Sequence, residues 1–302
     1  MDEFSLINKY FDWDQGIGDD CALMSIDNGR QLATTVDTLI EGVHFPTETS
    51  AQDIAYKALA VNLSDLAAMG ATPLYFTLAL TLPSVDKKWL EGFSESLKAL
   101  AKQYNISLVG GDTSKGSLSI TINATGIVKK TQALLRSGAQ VGDSVFVSNT
   151  LGDATLAWQQ IQNQQTPSIA LLKQFNRPEP RIKLAQRLLG VANSCIDISD
   201  GLKQDLSHIL SRSKVGVSID LEALPLSSEV AQYIANTQDW CVALAGGDGY
   251  ELCFTVPNTH IDSVKSIAKD LDIKLTKIGV IVEKQGLEIK GLNKTCKSYQ
   301  HF

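Results

Sequence analysis

The order of apolar and polar positions in the first half of the chain switches repeatedly between two periods. Runs that alternate apolar and polar residues are typical of half-buried strands, and apolar residues three or four positions apart are typical of helices. The pattern predicts strands over residues 21–26, 31–36, 74–82 and 118–128, and helices over 51–69 and 86–104. Ser50 is the predicted N-cap of the first helix, and Gly70 is predicted to end it.

The second half of the chain begins with a strand of its own, after a turn-rich segment over residues 136–143. It is predicted to contain strands over 144–148, 195–198, 217–220, 250–256 and 275–282, and helices over 153–162, 180–189 and 202–211. Strands and helices mixed in this way predict an α/β (α+β) fold class. The turn-rich segment predicts a boundary between an N-terminal domain, 1–137, and a C-terminal α/β domain, 138–302.

The composition is that of a globular protein large enough for two domains. The 302 residues are 44% hydrophobic and 20% charged. Because 27 Lys and Arg stand against 33 Asp and Glu, the charge balance excludes the basic surface that nucleic-acid binding requires. No apolar run approaches the ~18 residues of a membrane span, and the first residues lack the pattern of a secretion signal. We therefore expect a cytoplasmic protein with no nucleic-acid and no membrane partner.

The cysteines show no spacing that indicates a disulfide framework or a zinc site. They are odd in number and scattered, and no two form a CxxC pair. The five positions are Cys21, Cys195, Cys241, Cys253 and Cys296. We interpret them as small core residues in a reducing environment.

Aspartates recur at the ends of apolar strands or beside glycine turns. Seven share this context: Asp19, Asp20, Asp37, Asp112, Asp197, Asp200 and Asp248. Asp65 instead lies late in the first predicted helix, on the same face as Asn62. Their apolar surroundings predict partial burial, which is very unfavourable for grouped carboxylates unless cations neutralise them. Mg²⁺ prefers oxygen ligands and commonly bridges carboxylates to phosphates, so the pattern indicates a phosphoryl-transfer enzyme.

Each of these acids also has an interpretation without a metal. Aspartate after glycine at a strand end is a common turn-forming residue. Asp200 is placed to cap the helix that begins near residue 202, and Asp65 is equally consistent with a solvated helix position. Arg136 is suited either to binding a phosphate or to capping a strand end. His44, one of four histidines, is on its own more typical of a packed or surface residue.

Two common nucleotide-binding motifs are absent from the sequence. The segment 110–116, GGDTSKG, is a predicted loop with accessible backbone amides and a lysine, but it lacks the GxxxxGK[ST] spacing of a P-loop. GIGDDC has Cys21 where the dinucleotide fingerprint requires its third glycine. Any nucleotide-binding fold is therefore predicted to be neither a P-loop nor a Rossmann fold.

Seven segments, taken together and in chain order, resemble motifs of the thiamine-monophosphate kinase family. They are GIGDDCALM, TTVDTLIEGVHF, YKALAVNLSDLAAMGA, LVGGDTSKG, the segment at Arg136, IDISDGL and GGDGYELCF. The NLSDLAAMGA and ISDGL blocks are typical of the wider aminoimidazole-ribotide synthetase-like superfamily, and EGVHF with YELCF is typical of the kinase. The resemblance extends from residue 4 to residue 302.

The resemblance implies a two-domain fold and a kinase activity. The N-terminal domain of the chain would form a β-barrel shared across a homodimer, beside the C-terminal α/β domain. The activity implied is ATP-dependent phosphorylation of thiamine monophosphate to thiamine diphosphate, by direct in-line transfer with several Mg²⁺ ions. The partners implied are ATP as co-substrate, thiamine monophosphate and a second copy of the chain.

The resemblance also implies roles for individual residues. Mg²⁺ would be held by Asp20, Thr35, the backbone of Val36, Asp37, Asp65, Asp112, Asp197 and Asp200. ATP would contact Gly111, Asp112, Arg136 and Ser199. The substrate would contact His44, Asp248 and Tyr299. No general base is implied, because the acceptor is a phosphate oxygen that is already ionised near neutral pH.

The chain departs from the family pattern at two places. GGDGYEL stands where the family usually has GGEDYEL, so the expected Glu is the shorter Asp248 and the next acid is Gly249. Val36 replaces a more usual Thr, which a backbone-carbonyl ligand would tolerate.

Two alternative functions remain open: another Mg-ATP-dependent synthetase or ligase of the superfamily, and a non-catalytic metal- or nucleotide-binding protein.

Overall fold

A computed structural model describes residues 19–26, 29–292 and 295–296 of the chain. The N-terminal half forms a five-stranded sheet in the order β1-β2-β5-β3-β4. Its elements are β1 Ala22–Ile26, β2 Arg30–Ile40, α1 Ala51–Ala68, β3 Thr72–Leu82, α2 Lys87–Gln103, β4 Ser107–Lys115 and β5 Ser119–Lys129. Strands β1, β2, β5 and β3 pair antiparallel in turn, and β4 pairs parallel with β3 at the edge.

The C-terminal half forms a six-stranded mixed sheet in the order β11-β8-β10-β6-β9-β7. Its strands are β6 Ser144–Ser148, β7 Ser194–Asp197, β8 Gly216–Asp220, β9 Leu252–Val256, β10 Leu275–Val282 and β11 Gly286–Lys290. Its helices are α3 Asp153–Gln162, α4 Ile169–Asn176, α5 Ile182–Leu188, α6 Leu202–Ser213, α7 Ser228–Thr237, α8 Cys241–Leu244 and α9 Ile261–Leu271. The predicted domain boundary at residue 137 falls between β5 and β6 and stays a prediction.

Helix α1 lies at the centre of the molecule. Fourteen of its eighteen residues are buried, as expected for a helix that is largely apolar on every side. It packs on β2 and β5 of the first sheet, on helices α2 and α5, and on β7 of the second sheet. Its predicted N-cap is confirmed, because the Ser50 side chain accepts a hydrogen bond from the Asp53 amide at 3.1 Å. The helix therefore brings residues from both halves to one place.

The segment 110–116, predicted as a loop, is mostly strand, so that prediction is wrong. Strand β4 runs through Lys115 and is exposed along its whole length. Glycine and aspartate disfavour strands, but pairing with β3 overrides that preference. Gly111 permits the close approach of the two strands, because a Cβ there would lie 1.9 Å from the carbonyl oxygen of Leu78.

The prediction that the cysteines form no disulfide is wrong for one pair. The sulfurs of Cys241 and Cys296 lie 2.13 Å apart, with their Cα atoms 5.2 Å apart. The pair is 55 residues apart in sequence, so it leaves no spacing motif, and only the fold brings the two together. Lys203 Nζ donates to the carbonyl oxygen of Cys296 at 2.8 Å and holds that segment in place. The other three are confirmed as buried core residues: Cys21, Cys195 and Cys253.

No helix in the described part of the chain is long and apolar enough to cross a membrane.

Candidate functional site

Three carboxylates from distant parts of the sequence meet between the two sheets. Asp20 precedes β1, Asp65 is near the end of α1, and Asp197 is the last residue of β7. One oxygen from each lies within 4.8 Å of the others. Asp20 and Asp197 are buried and Asp65 is half-buried. The convergence predicted from the sequence is therefore present for these three acids, and the interpretation of Asp65 as a solvated helix residue is wrong.

The electrostatics of this acid cluster, Asp20, Asp65 and Asp197, favour a bound cation. Burial, then the charges of Asp37, Asp197 and Asp20, hold the pKa of Asp65 well above its usual range. Burial, then the charge of Asp20, does the same to the pKa of Asp197. Grouped acids whose ionised forms are this unfavourable are stabilised by a divalent ion. The donors are oxygens alone, which suits Mg²⁺.

Two hydroxyl groups orient the acid cluster. The Thr35 hydroxyl donates to Oδ2 of Asp65, and the Ser64 hydroxyl donates to Oδ2 of Asp197 at 2.6 Å. Thr35 was among the predicted metal ligands. The role of Ser64 was missed, because a serine inside an apolar helix gives no signal of its partner 133 residues away. These contacts hold Asp65 and Asp197 through one carboxylate oxygen each.

Arg136 forms an ion pair with Asp20 of the acid cluster. Its Nη2 donates to Oδ1 of Asp20 at 2.9 Å, its Nε donates to Oδ2 of Asp20 at 3.3 Å, and its amide donates to Oδ1 of Asp19 at 2.7 Å. Burial opposes its charge, but Asp20 outweighs burial and raises the pKa of Arg136. A permanently charged fork therefore lies beside the acids, where it offsets part of their repulsion.

A cavity of about 440 Å³ is linked to the acid cluster through Asp37, which lines it and whose charge raises the pKa of Asp65. Asp37 and Asp200 lie on its acidic side, and burial with the charge of Asp200 raises the pKa of Asp37 to about 6. Asp200 is not a helix cap, since the N-cap of α6 is Gly201. Its amide instead donates to the buried Asp205 at 3.0 Å, a contact that was missed because Asp205 follows the motif inside a helix. His44, Ser199 and Asp248 also line the cavity, as do the aromatic rings of Trp158, Phe175 and Tyr250.

Some predicted site residues lie apart from the cluster. The strand register places Asp37 opposite Ile122, Leu78 and Gly111 in turn, which puts Gly111 three strands, or about 14 Å, from Asp37. Asp112, the next residue of β4, pairs with Ala79 of β3, so its side chain lies on the opposite face of the sheet from that of Asp37. Its carboxylate accepts a hydrogen bond from the Ser114 hydroxyl at 2.9 Å. The side chain of Val36 is exposed. Tyr299 lies outside the described residues.

The raised pKa of Asp37 predicts a dependence on pH. Between its usual value of 3.8 and about 6, the folded protein keeps a proton that the unfolded chain releases, so the free energy of unfolding falls as pH rises through this range. Mg²⁺ must displace that proton, so we expect its stabilising effect to be large near about pH 7.5 and to fade towards about pH 5. Thermal unfolding with and without Mg²⁺ measures this effect. An equal Mg²⁺ shift at both values would contradict it, and Asp37→Asn is the control.

Models of a known protein family match both halves of the chain. The family described as AIR synthase related protein, N-terminal domain, matches residues 18–128, and its C-terminal counterpart matches residues 140–291. Thiamine-monophosphate kinase of Haemophilus influenzae is 48% identical over 298 residues, covering 95% of this chain and 91% of the relative. The kinase of Escherichia coli strain K12 is 44% identical over 318 residues, covering 99% and 98%.

Solved structures of thiamine-monophosphate kinases are also similar to this chain. Thiamine-monophosphate kinase from Stenotrophomonas maltophilia is 44% identical with a TM-score of 0.84, covering 96% of each chain. AaThiL in complex with AMPPCP and TMP is 32% identical with a TM-score of 0.90, covering 100% of this chain and 97% of that one. The hydrogenase maturation protein HypE of Escherichia coli, at 20% identity and a TM-score of 0.72, shares the fold. This chain belongs to the AIR synthase related proteins and, within them, to the thiamine-monophosphate kinase family of phosphotransferases.

Proposed function

We propose that this chain transfers the γ-phosphoryl group of ATP to thiamine monophosphate, giving thiamine diphosphate. The observation that carries the proposal is the convergence of Asp20, Asp65 and Asp197, linked through Asp37 to the 440 Å³ cavity. A relative with the same fold was solved with AMPPCP and TMP bound together, which shows that such a fold accommodates both ligands. Several Mg²⁺ ions would neutralise the phosphates. Their proposed ligands are Thr35, the backbone of Val36 and six aspartates: Asp20, Asp37, Asp65, Asp112, Asp197 and Asp200.

The proposed mechanism needs alignment and charge neutralisation only. The acceptor oxygen of thiamine monophosphate is ionised near neutral pH, so no residue has to remove a proton. Arg136 and Ser199 would orient the ATP phosphates, and His44, Asp248 and Tyr299 would orient the acceptor for direct in-line transfer. Asp37 and Asp200 line the same cavity as His44, Ser199 and Asp248.

The N-terminal sheet supports the expected homodimer. In the described part of the chain, the outer edge of β4 pairs with no other strand. Large apolar side chains are exposed on this sheet, among them Val36, Leu74, Leu108 and Val109. Exposed edges and apolar patches of this kind mark association sites. A barrel shared with a second copy would cover both, and we propose that Asp112 and Gly111 then serve the partner's site.

Mixing two inactive variants tests this arrangement. If Asp112 acts across the dimer, co-refolded Asp37→Asn and Asp112→Asn chains form heterodimers with one complete site, restoring about a quarter of wild-type activity. Each variant alone stays inactive. If Asp112 acts within its own chain, the mixture stays as inactive as its components, and that result would overturn the shared site.

Substrate choice tests the function itself. Purified protein is assayed for ADP release with Mg-ATP and, separately, thiamine monophosphate, thiamine and an aminoimidazole precursor. We expect turnover with thiamine monophosphate alone, with thiamine diphosphate as the second product. Turnover on the aminoimidazole precursor would select the superfamily synthetase alternative, and ATP binding without turnover would select a non-catalytic role.

A further inference from the structure

A buried lysine lies behind the wall of the cavity. The Lys57 side chain, in the middle of α1, is 2% exposed, and Lys57 does not itself line the cavity. Removing an ammonium group from water costs several kcal/mol unless its donors are satisfied, so a lysine is retained here only with good partners. Its partners therefore indicate what it does.

Three groups around the cavity converge on the Lys57 ammonium. Its Nζ lies 2.9 Å from Oδ1 of Asp248 and donates to the carbonyl oxygen of His44 at 3.2 Å. It also lies 3.9 Å from the ring centroid of Phe175, within the range of a cation–π contact. These partners come from the loop before β9, the turn after β2 and helix α4, and all three line the cavity. One cation thus fixes three separate pieces of the cavity wall.

Asp248 has particular need of such a partner. It lies at φ +63° between Gly247 and Gly249, in a segment whose backbone has unusual freedom. One main-chain contact restrains it, from its amide to the carbonyl oxygen of Ser199 at 2.8 Å. The ion pair with Lys57 occupies Oδ1 of a side chain that is 32% exposed and borders the cavity, so it sets where that carboxylate lies.

We propose that Lys57 is a positioning residue for the acceptor substrate. Its ammonium group holds Asp248 and the His44 turn in the geometry that binds the acceptor, and it takes no part in phosphoryl transfer. This inference rests on the function proposed above. It predicts that loss of the Lys57 charge weakens acceptor binding and leaves the chemical step and the ATP site unchanged.

The primary variant is Lys57→Gln, whose amide still reaches towards the His44 carbonyl but carries no charge. We expect the KM for thiamine monophosphate to rise about tenfold, as for loss of a charge-assisted hydrogen bond. The kcat and the KM for ATP are expected to stay within about twofold. Lys57→Arg keeps the charge and is expected to restore part of the affinity, and Lys98→Gln, on the outer helix α2, is the matched control.

The double variant Lys57→Gln/Asp248→Asn isolates the route of the effect. If Lys57 acts through Asp248, the double variant has the same KM for the acceptor as Asp248→Asn alone. A further rise would overturn the proposal, as would an unchanged acceptor KM, or a fall in kcat alone, in folded Lys57→Gln. The double variant contains no unpaired buried charge, whereas Asp248→Asn leaves the buried Lys57 without its carboxylate partner, so the two are compared after thermal unfolding has shown both to be folded. Absence of wild-type turnover would contradict the proposed function instead, and the same assay shows it.

Discussion

Asp65→Asn is expected to lower kcat by about 1000-fold or more, since the substitution removes a charge from the centre of the acid cluster. The asparagine has the same shape, and its side-chain oxygen still accepts from the Thr35 hydroxyl. Because burial and neighbouring acids make the ionised Asp65 unfavourable, the metal-free variant is expected to be more stable than the wild type. Activity and stability should thus move in opposite directions. Steady-state kinetics and thermal unfolding without Mg²⁺ measure the two effects.

Asp220→Asn is the matched control, because Asp220 ends β8 of the second sheet as Asp197 ends β7, but its side chain is exposed. We expect this variant to keep wild-type kcat. Asp37→Asn is expected to behave like Asp65→Asn, with the fold intact. Near wild-type kcat in both Asp37→Asn and Asp65→Asn would refute the assignment of these acids as metal ligands.

The largest expected loss of stability comes from Arg181→Met. The Arg181 guanidinium donates to both carboxylate oxygens of Glu251, at 2.7 and 2.6 Å, and Glu251 is 4% exposed. Removing one partner of a buried pair leaves the other charge uncompensated, at a cost of about 3–5 kcal/mol. Burial raises the pKa of Glu251, and its contacts with Arg181 lower it. Loss of Arg181 therefore raises the pKa of Glu251 further. The destabilisation should therefore grow as pH rises through the titration of Glu251.

Urea unfolding of Arg181→Met measures this cost. The double variant Arg181→Met/Glu251→Gln is expected to recover part of it, because no unpaired charge remains. Arg187→Met is the control: its ion pair with Asp270 is about half exposed, and its loss is expected to change stability by about 0–1 kcal/mol. A cost for Arg181→Met no larger than that control would contradict the account of this pair.

The strongly periodic parts of the chain were predicted well. Strands β6 and β10 and helix α3 have the predicted bounds, and the cap at Ser50 was correct. These elements follow from local propensity and periodicity, which the sequence carries directly. Strand β4 was missed because its glycine-rich sequence becomes a strand only through pairing with β3. Helices α4, α7, α8 and α9 and strand β11 were also left unassigned.

The candidate site was predicted as a set of residue types, and its geometry was not. The aspartates of GIGDD, NLSD and IDISD were identified from their apolar surroundings, and three of them meet in the acid cluster. Lys57 and Ser64 were missed because a lysine or serine within a helix shows nothing of a partner that only tertiary packing supplies. The pairing of Cys241 with Cys296 was missed for the same reason. Asp112 is separated from the cluster within one chain, so its role stays a prediction.

Anomalous diffraction from crystals grown with Mn²⁺ and a non-hydrolysable ATP analogue tests the acid cluster most directly. We expect a metal peak within about 2–2.5 Å of carboxylate oxygens from Asp20, Asp65 and Asp197, with the nucleotide phosphates as further ligands. Nucleotide bound with no metal peak among these three acids would contradict the claim that a divalent cation is what makes their convergence stable.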